Sequence, residues 1–216
     1  MLDEETSRHV VQVLRMKEGE QLNLTDGKGS LLTCKISEAN KKQCTVIKQA
    51  IKNQKPKTKK ITVAISLLKN TNRFEWFLEK ATELGVSEII PLICERTEKE
   101  KFRQDRMNAI CISAMLQSQQ CWLPVLHEPV ELYKVVSNVS SVQKFIAYCD
   151  EYPTKHNLST FQPFNSSTIL IGPEGDFTPK EIELALQNGY LPVSLGETRL
   201  RTETAGVVAA VLMLLS

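Results

Sequence analysis

No stretch of this sequence is apolar for long enough to cross a bilayer. The longest such run, Ala205 to Leu215, is about half of what a spanning helix needs. The opening MLDEETSRHV is too charged for a signal peptide, so a cytoplasmic location is expected. Cysteine pairing is missing as well. Cys34, Cys44, Cys94, Cys111, Cys121 and Cys149 include no CxxC pair and no Cys/His cluster, which argues against a zinc site or a disulfide framework and predicts mostly core thiols. The three histidines, His9, His127 and His156, lie far apart, so no metal is expected. There is no GxGxxG, no Walker loop and no Ser/His/Asp arrangement.

Net charge is small too, at +2, but it is unevenly spread. Residues 1 to 52 carry nine Lys/Arg against seven Asp/Glu, residues 53 to 60 add four lysines and no acid, and residues 61 to 216 carry fourteen against eighteen. A basic front followed by an acidic remainder hints at a polyanionic partner for the front; a solvated lysine-rich face is the commoner origin of such a run.

What is present concentrates between residues 168 and 206. Thr168 to Ile171 form an apolar run that stops at Gly172-Pro173-Glu174-Gly175, a buried strand entering a glycine-bounded loop. Thr178, Pro179 and Glu181 then spell a complete capping box for a helix that ends at Gly189. A second strand, Leu191 to Leu195, breaks at Gly196, and Glu197 to Thr204 leads into a final apolar helix.

Upstream, Val10, Val13 and Leu14 fall at helical spacing and predict a short helix closed by Gly19. Leu22 to Thr25, Leu31 to Ile36 and Gln43 to Ile51, with Asp26-Gly27-Lys28-Gly29 as a turn, predict a small antiparallel β unit. Asn53 to Lys60 reads as a linker, giving a unit over 1–60 and a second over 61–216. In the second, strands at Ile61 to Leu68, Glu88 to Ile93 and Lys144 to Tyr148 alternate with helices. One helix is marked by Phe74, Phe77, Leu78, Ala81 and Leu84 and closed by Gly85; the other is marked by Met107, Ile110, Cys111, Ala114 and Met115. That alternation predicts an α/β fold, a parallel sheet covered by helices on both faces. Ligands of such sheets bind beyond the carboxyl ends of the strands, where both glycine loops lie.

Several residues have two readings. A single loop at Gly172 to Gly175 is either a plain strand-to-helix turn or an anion-accepting cradle; the second loop at Gly196 shifts the balance toward a ligand clamp. Glu203 suits the first turn of a helix electrostatically, whereas Arg201 does not, so Arg201 is the stronger candidate for contacting substrate. Arg8, His9 and Arg15 form a phosphate-contacting cluster or, singly, ordinary surface residues. Asp150 and Glu151 face the ligand crevice or merely end a strand. Trp76 reads as a packing residue within its helix, and Trp122 lies in a loop.

Ile171-Gly172-Pro173-Glu174-Gly175 with its capped helix, followed by Leu195-Gly196 and Leu200-Arg201-Thr202-Glu203-Thr204-Ala205, resembles the signature of the RsmE-type 16S rRNA (uridine-N3) methyltransferases of the SPOUT superfamily. His9 to Met16 is similar to a segment of that family's PUA-like RNA-binding domain, and Lys80 to Val86, Pro91, Glu95-Arg96, Gln117-Ser118 and Pro124 extend the likeness over nearly the whole chain. The sequence departs from the pattern at Asp176, at Thr198 with Arg199 one place on, and between Leu116 and Gln120; it also starts short of a strand the family usually has.

The resemblance implies a SPOUT-type parallel sheet with a C-terminal trefoil knot, preceded by a small PUA-like β-barrel, and a homodimer. It implies S-adenosylmethionine as cofactor, held by Leu170, Ile171, Gly172, Pro173, Glu174, Gly175, Leu195, Gly196, Leu200, Arg201, Thr204 and Ala205. The implied partner is 16S rRNA in the small ribosomal subunit, methylated at N3 of an unpaired or extruded uridine. Arg201 would stabilise the developing uracil anion, with Glu203 or Glu174 as any base. Arg8, His9, Arg15, Lys55, Lys57, Lys59 and Lys60 would supply phosphate affinity. Two rivals remain: a SPOUT methyltransferase acting on another RNA position, and a non-catalytic RNA-binding protein built from a PUA-like module and a degenerate knot.

Overall fold

The computed structural model describes residues 1–55, 58–98, 101–149, 155–161 and 165–215. Two compact units are present, Met1–Pro56 and Lys57–Ser216.

The first unit opens on α1 (Glu4–Arg8), capped by Asp3, whose carboxylate accepts from Thr6 N at 2.9 Å. A π-helical turn, His9–Val13, follows directly. Strands β1 (Gln21–Thr25), β2 (Ser30–Glu38) and β3 (Thr45–Asn53) form an antiparallel sheet in that order. The predicted turn joins β1 to β2, with Asp26 Oδ1 accepting from Lys28 N and Ser30 N. The helical face differs from expectation. Val10 is buried with Ile36 and Cys44, but Val13 and Leu14 are 65% and 54% exposed. The turn bonds Leu14 N to His9 O, five residues apart, so the 3.6-residue spacing that would group these side chains does not apply. The turn ends at Arg15 (φ 55°) rather than at Gly19.

The second unit alternates strands and helices: β4 (Lys60–Ser66), α2 (Thr71–Leu84), β5 (Glu88–Ile93), α3 (Gln104–Gln117), β6 (Val125–Leu126), β7 (Val130–Glu131), α4 (Leu132–Asn138), β8 (Gln143–Ala147), β9 (His156–Asn157), β10 (Ser166–Ile171), α5 (Pro179–Gln187), β11 (Leu191–Ser194) and α6 (Thr202–Leu215). The sheet runs β6-β5-β4-β10-β8-β11-β9, with β7 also on β5. Among the described residues every pairing in it is parallel.

Central strands in such a sheet are buried on both faces, and β10 shows it. Ile169 and Ile171 pack with Phe74 and Phe77 of α2, Met107 of α3 and Ala209 of α6, while Leu170 packs on the opposite face with Val135 of α4 and Ile182 of α5. Each such side chain contributes about 1.5–3 kcal/mol. Helix α2 is capped by Asn70 and closed by Gly85 in the left-handed region (φ 90°), as its sequence predicts. Trp76 departs from the packing reading: it is 43% exposed. Helix α6 approaches closely enough at Gly206 that a Cβ there would stand 2.7 Å from Phe77 Cε2 and 2.8 Å from Ile65 Cδ1.

Helices α2 and α3 are also joined by a bidentate pair, Arg106 Nε and Nη2 on the Glu75 carboxylate at 2.5 and 2.8 Å. Hydrogen bonding from Arg106 holds the Glu75 carboxyl below its ordinary range. A lowered folded-state value means the stabilisation is present above the unfolded value of about 4.3 and is lost as pH falls through the folded one. Glu75→Gln is therefore expected to lower the melting temperature by about 2–4 °C at neutral pH. Thermal melts of both proteins should converge only as the pH is lowered through that depressed folded-state value.

Candidate functional site

The carboxyl ends of β8, β10 and β11 deliver three segments to one cleft of about 650 Å³. From β10 comes the loop beginning Gly172-Pro173-Glu174, and from β11 the loop Leu195 to Arg201; Ala147, Tyr148 and Cys149 follow β8. The first loop is rigid for reasons in the sequence and outside it. Thr178 and Glu181 close the capping box at the start of α5. Glu181 also accepts from Glu95 N at 2.8 Å, Thr178 Oγ1 donates to Glu95 at 3.1 Å, and Arg96 Nη1 donates to Gly175 O at 2.6 Å. The turn after β5 thus clamps the loop after β10. Glu95 and Arg96 were visible in the sequence only as part of the family-like segment.

Asp176, where the sequence departs from the family pattern, suits its place in the loop. Its φ is 64°, a conformation Asp adopts more readily than most residues. Its side chain bonds the backbone it bends, accepting from Cys149 N at 2.7 Å and Phe177 N at 2.8 Å. The β8 and β10 ends are therefore tied together by one side chain. In the second loop Gly196 has φ 135°, with nothing within 4 Å of where a Cβ would sit. Conformation rather than crowding requires glycine there.

Of the residues predicted to hold the cofactor, Ile171, Gly172, Pro173, Glu174, Leu195, Gly196, Leu200, Arg201 and Ala205 line the cleft. Leu170 does not; it is fully buried in the core on the α4–α5 side. Gly175 and Thr204 are also outside the lining, Gly175 presenting its carbonyl to Arg96 instead. Tyr148, Cys149, Lys155, Asp176, Ser194, Glu197 and Arg199 line the cleft without having been singled out as cofactor contacts. Lys155 is held over the Tyr148 ring, 4.5 Å from its centroid, and donates to Tyr148 O at 2.8 Å. Asp150 and Glu151 lie outside the described residues.

The three proposed catalytic side chains separate. Arg201 and Glu174 are exposed and line the cleft. Glu203 does not line it: its side chain is 9% exposed, and Oε1 sits 3.7 Å from Arg73 Nε of α2. Arg201 precedes α6 and faces the cleft, whereas Glu203 lies in the first turn of α6 and faces Arg73 of α2.

The cationic candidates of the first unit are exposed: Arg8, paired with Glu4 at 2.9 Å, and His9, Arg15 and Lys55. Lys59 donates to Leu214 O near the end of α6, and Lys60 is exposed at the start of β4. Lys57 lies outside the described residues.

The donors of the cleft fit S-adenosylmethionine. Glycine-shaped backbone, apolar walls from Ile171, Leu195, Leu200 and Ala205, carboxylates of Glu174 and Glu197, and cations of Arg199 and Arg201 match a ligand with an apolar ring, a positive sulfonium and an amino-acid end. Cys149 gives a direct check. It is the exposed thiol, whereas Cys34, Cys44, Cys94, Cys111 and Cys121 are buried, with burial pushing Cys94 up to about 12. Alkylation by a maleimide should label Cys149 alone, and S-adenosylhomocysteine should slow that labelling by about tenfold or more. Unchanged labelling at saturating ligand would place the ligand elsewhere.

Comparisons with known proteins agree with this geometry. A family model described as an RNA methyltransferase domain matches residues 54–214, and one described as an RNA methyltransferase PUA domain matches residues 2–49. A Synechocystis protein named ribosomal RNA small subunit methyltransferase E is 28% identical over 207 residues, covering 93% of this chain and 68% of that protein. The crystal structure of a probable rRNA-methyltransferase from Porphyromonas gingivalis superposes with a TM-score of 0.90 at 41% identity, covering 97% of this chain and 90% of that one. A ribosomal RNA small subunit methyltransferase E from Neisseria gonorrhoeae, bound to S-adenosyl methionine, gives a TM-score of 0.89 at 29% identity over 98% and 89% of the two chains.

Proposed function

The chain belongs to the RNA methyltransferase family, and from that premise we propose that it methylates N3 of a uridine in 16S rRNA of the small ribosomal subunit, using S-adenosylmethionine. The observation that carries this reading is the single cleft formed by two glycine-bounded loops at parallel strand ends, with Arg201 and Glu174 both in its lining. The cofactor supplies an electrophilic methyl group on a cationic sulfonium.

The chain's own residues do the remainder. The Arg96 and Glu95 clamp and the Asp176 bonds fix the loops, so that a nucleobase and the methyl group can be held at roughly 3–3.5 Å. Uridine N3 must lose its proton as it gains the methyl, and in this reading the Glu174 carboxylate of the cleft lining accepts it. Negative charge spreads over the uracil as that proton leaves, and in this reading the Arg201 guanidinium stabilises it. Glu203, buried against Arg73, is not the base in this scheme.

The finer architecture belongs to the same proposal. Insertion of β10 between β4 and β8, both earlier in the chain, supports a C-terminal trefoil knot. The antiparallel first unit and its PUA model support a PUA-like barrel that binds RNA through Arg8, His9, Arg15 and the linker lysines. A homodimer, which would cover apolar side chains such as exposed Trp76, and a cytoplasmic location complete it. Among the described residues no helix is long and apolar enough to cross a membrane.

The deciding experiment incubates the protein with labelled S-adenosylmethionine and small subunits that lack the modification, then maps the labelled nucleotide. Label at a uridine N3 is the expected result. Label at another position would replace this reading with that of a different RNA methyltransferase, and absence of cofactor binding by calorimetry would favour a non-catalytic RNA-binding protein.

A further inference from the structure

A second hollow adjoins the cofactor cleft. It holds about 480 Å³ and is lined by Lys69, Asn70, Thr71, Asn72, Arg73 and Glu174. Glu174 lines both hollows. They also meet through the start of α6, where Arg201 lines the cofactor cleft and Glu203, two residues on, reaches Arg73 in the lining of the second hollow.

Glu203 is out of place for an ordinary surface carboxylate. It is nine-tenths buried, and its Oε2 has no hydrogen-bond partner among the described residues. Compensation of the α6 dipole would explain a carboxylate bonded to the first-turn N–H groups, yet no such bond is made. What the carboxylate does face is the Arg73 guanidinium, at 3.7 Å. Arg73 is 37% exposed and its guanidinium has no other partner among the described residues, so its remaining N–H groups are available to a ligand. Lys69 is the second cation, already bonded to exposed Glu98 at 2.6 Å.

We propose that the second hollow seats the phosphate of the target nucleotide, with Arg73 as its principal ligand, Lys69 as a supporting cation, and buried Glu203 as the positioning residue that holds Arg73 in place. This rests on the methyl-transfer reading above and names the substrate subsite of the same centre. A base that presents N3 to a methyl group in the cofactor cleft has its sugar and phosphate attached on the side away from that edge. Glu174, in the shared wall, can accept the N–H of the base, and the cations lining the second hollow, Arg73 and Lys69, attract the phosphate. Arginine suits the role because its planar fork binds two phosphate oxygens at once.

The test compares wild type with Arg73→Ala, Arg73→Lys and Glu203→Gln. Steady-state methylation of unmodified small subunits is measured with cofactor affinity by calorimetry, and binding of the trinucleotide UpUpU is followed across a salt series with S-adenosylhomocysteine present. Arg73→Ala should raise KM for subunits about tenfold or more, keep cofactor affinity within about twofold, and reduce the salt slope of trinucleotide binding by about 0.7, the loss of one phosphate contact to a single strand. Arg73→Lys should recover part of the KM, and Glu203→Gln should shift KM in the same direction as Arg73→Ala but less. Unaltered KM and salt slope in Arg73→Ala would overturn the proposal, as would equal losses of cofactor and RNA affinity, which would mark Arg73 as merely structural. If subunits are not methylated at a uridine but trinucleotide binding still depends on Arg73, the hollow stands and the reaction assignment falls. If neither methylation at a uridine nor Arg73-dependent trinucleotide binding is seen, both fall.

Discussion

Replacing Arg201 with alanine is expected to reduce turnover by about 10²–10³-fold, the usual effect of removing one preorganised donor from a developing anion, while affinity for S-adenosylmethionine stays within a few-fold. The side chain is exposed at the cleft, and its guanidinium makes no hydrogen bond or ion pair among the described residues. An unpaired cation in that position is free to meet charge that appears only during reaction. Its backbone carbonyl accepts from Ala205 N at 2.8 Å, a bond the substitution leaves in place, so the start of α6 should keep its shape. Single-turnover rates with saturating cofactor separate the chemical step from binding. Turnover within about twofold of wild type would remove Arg201 from the mechanism. A parallel loss of cofactor affinity would make it a binding residue instead. Arg201→Lys should recover little, because a point charge on a flexible stem does not reproduce a planar fork.

The second large effect is on the fold beneath the site. Gly206→Ala should cost about 1–3 kcal/mol of stability, an overpacking penalty, although alanine is the better helix former. The added methyl would meet Phe77 and Ile65 at under 3 Å, and both of those side chains are fully buried. Neither can move without displacing α2 or β4. The only relief is a shift of α6, which begins at Thr202 immediately after Arg201. Denaturant unfolding should therefore show the loss of stability, and calorimetry should show weaker cofactor binding in the same variant. An alanine variant as stable as wild type would mean that α6 does not lie as close to the sheet as described.

The strand-and-helix alternation of the second unit was legible because each element carries a local signal that packing then reinforces. The continuous apolar runs of β4 and β10, the Thr178-Pro179-Glu181 box and the Gly85 cap belong to this kind. The short helix of the first unit was misread over its last turn, since a π-helical turn changes which side chains share a face. Val10 alone of the three marked residues became core. Trp76 was misread for another reason: position within a helix does not say which side faces the sheet. In the site, glycine-bounded loops exposed Gly172 and Gly196 to inspection, and chain neighbours brought Glu174 and Arg201 with them. Arg96 and Cys149 come from other strand ends, and no spacing in the sequence connects them to those loops.

By itself the sequence determined where strands, caps and glycine turns fall, and, through resemblance, which family of RNA-modifying enzymes the chain joins. Short-range geometry suffices for those properties, because each depends on residues within a few positions of one another. Only the tertiary structure decided the fates of Arg201 and Glu203. Two residues apart in the sequence, they diverge in space, one exposed beside Glu174 in the cleft and the other buried against Arg73. The start of α6 between them and the packing of α2 on α6 set that division, and that packing joins segments more than a hundred residues apart along the chain.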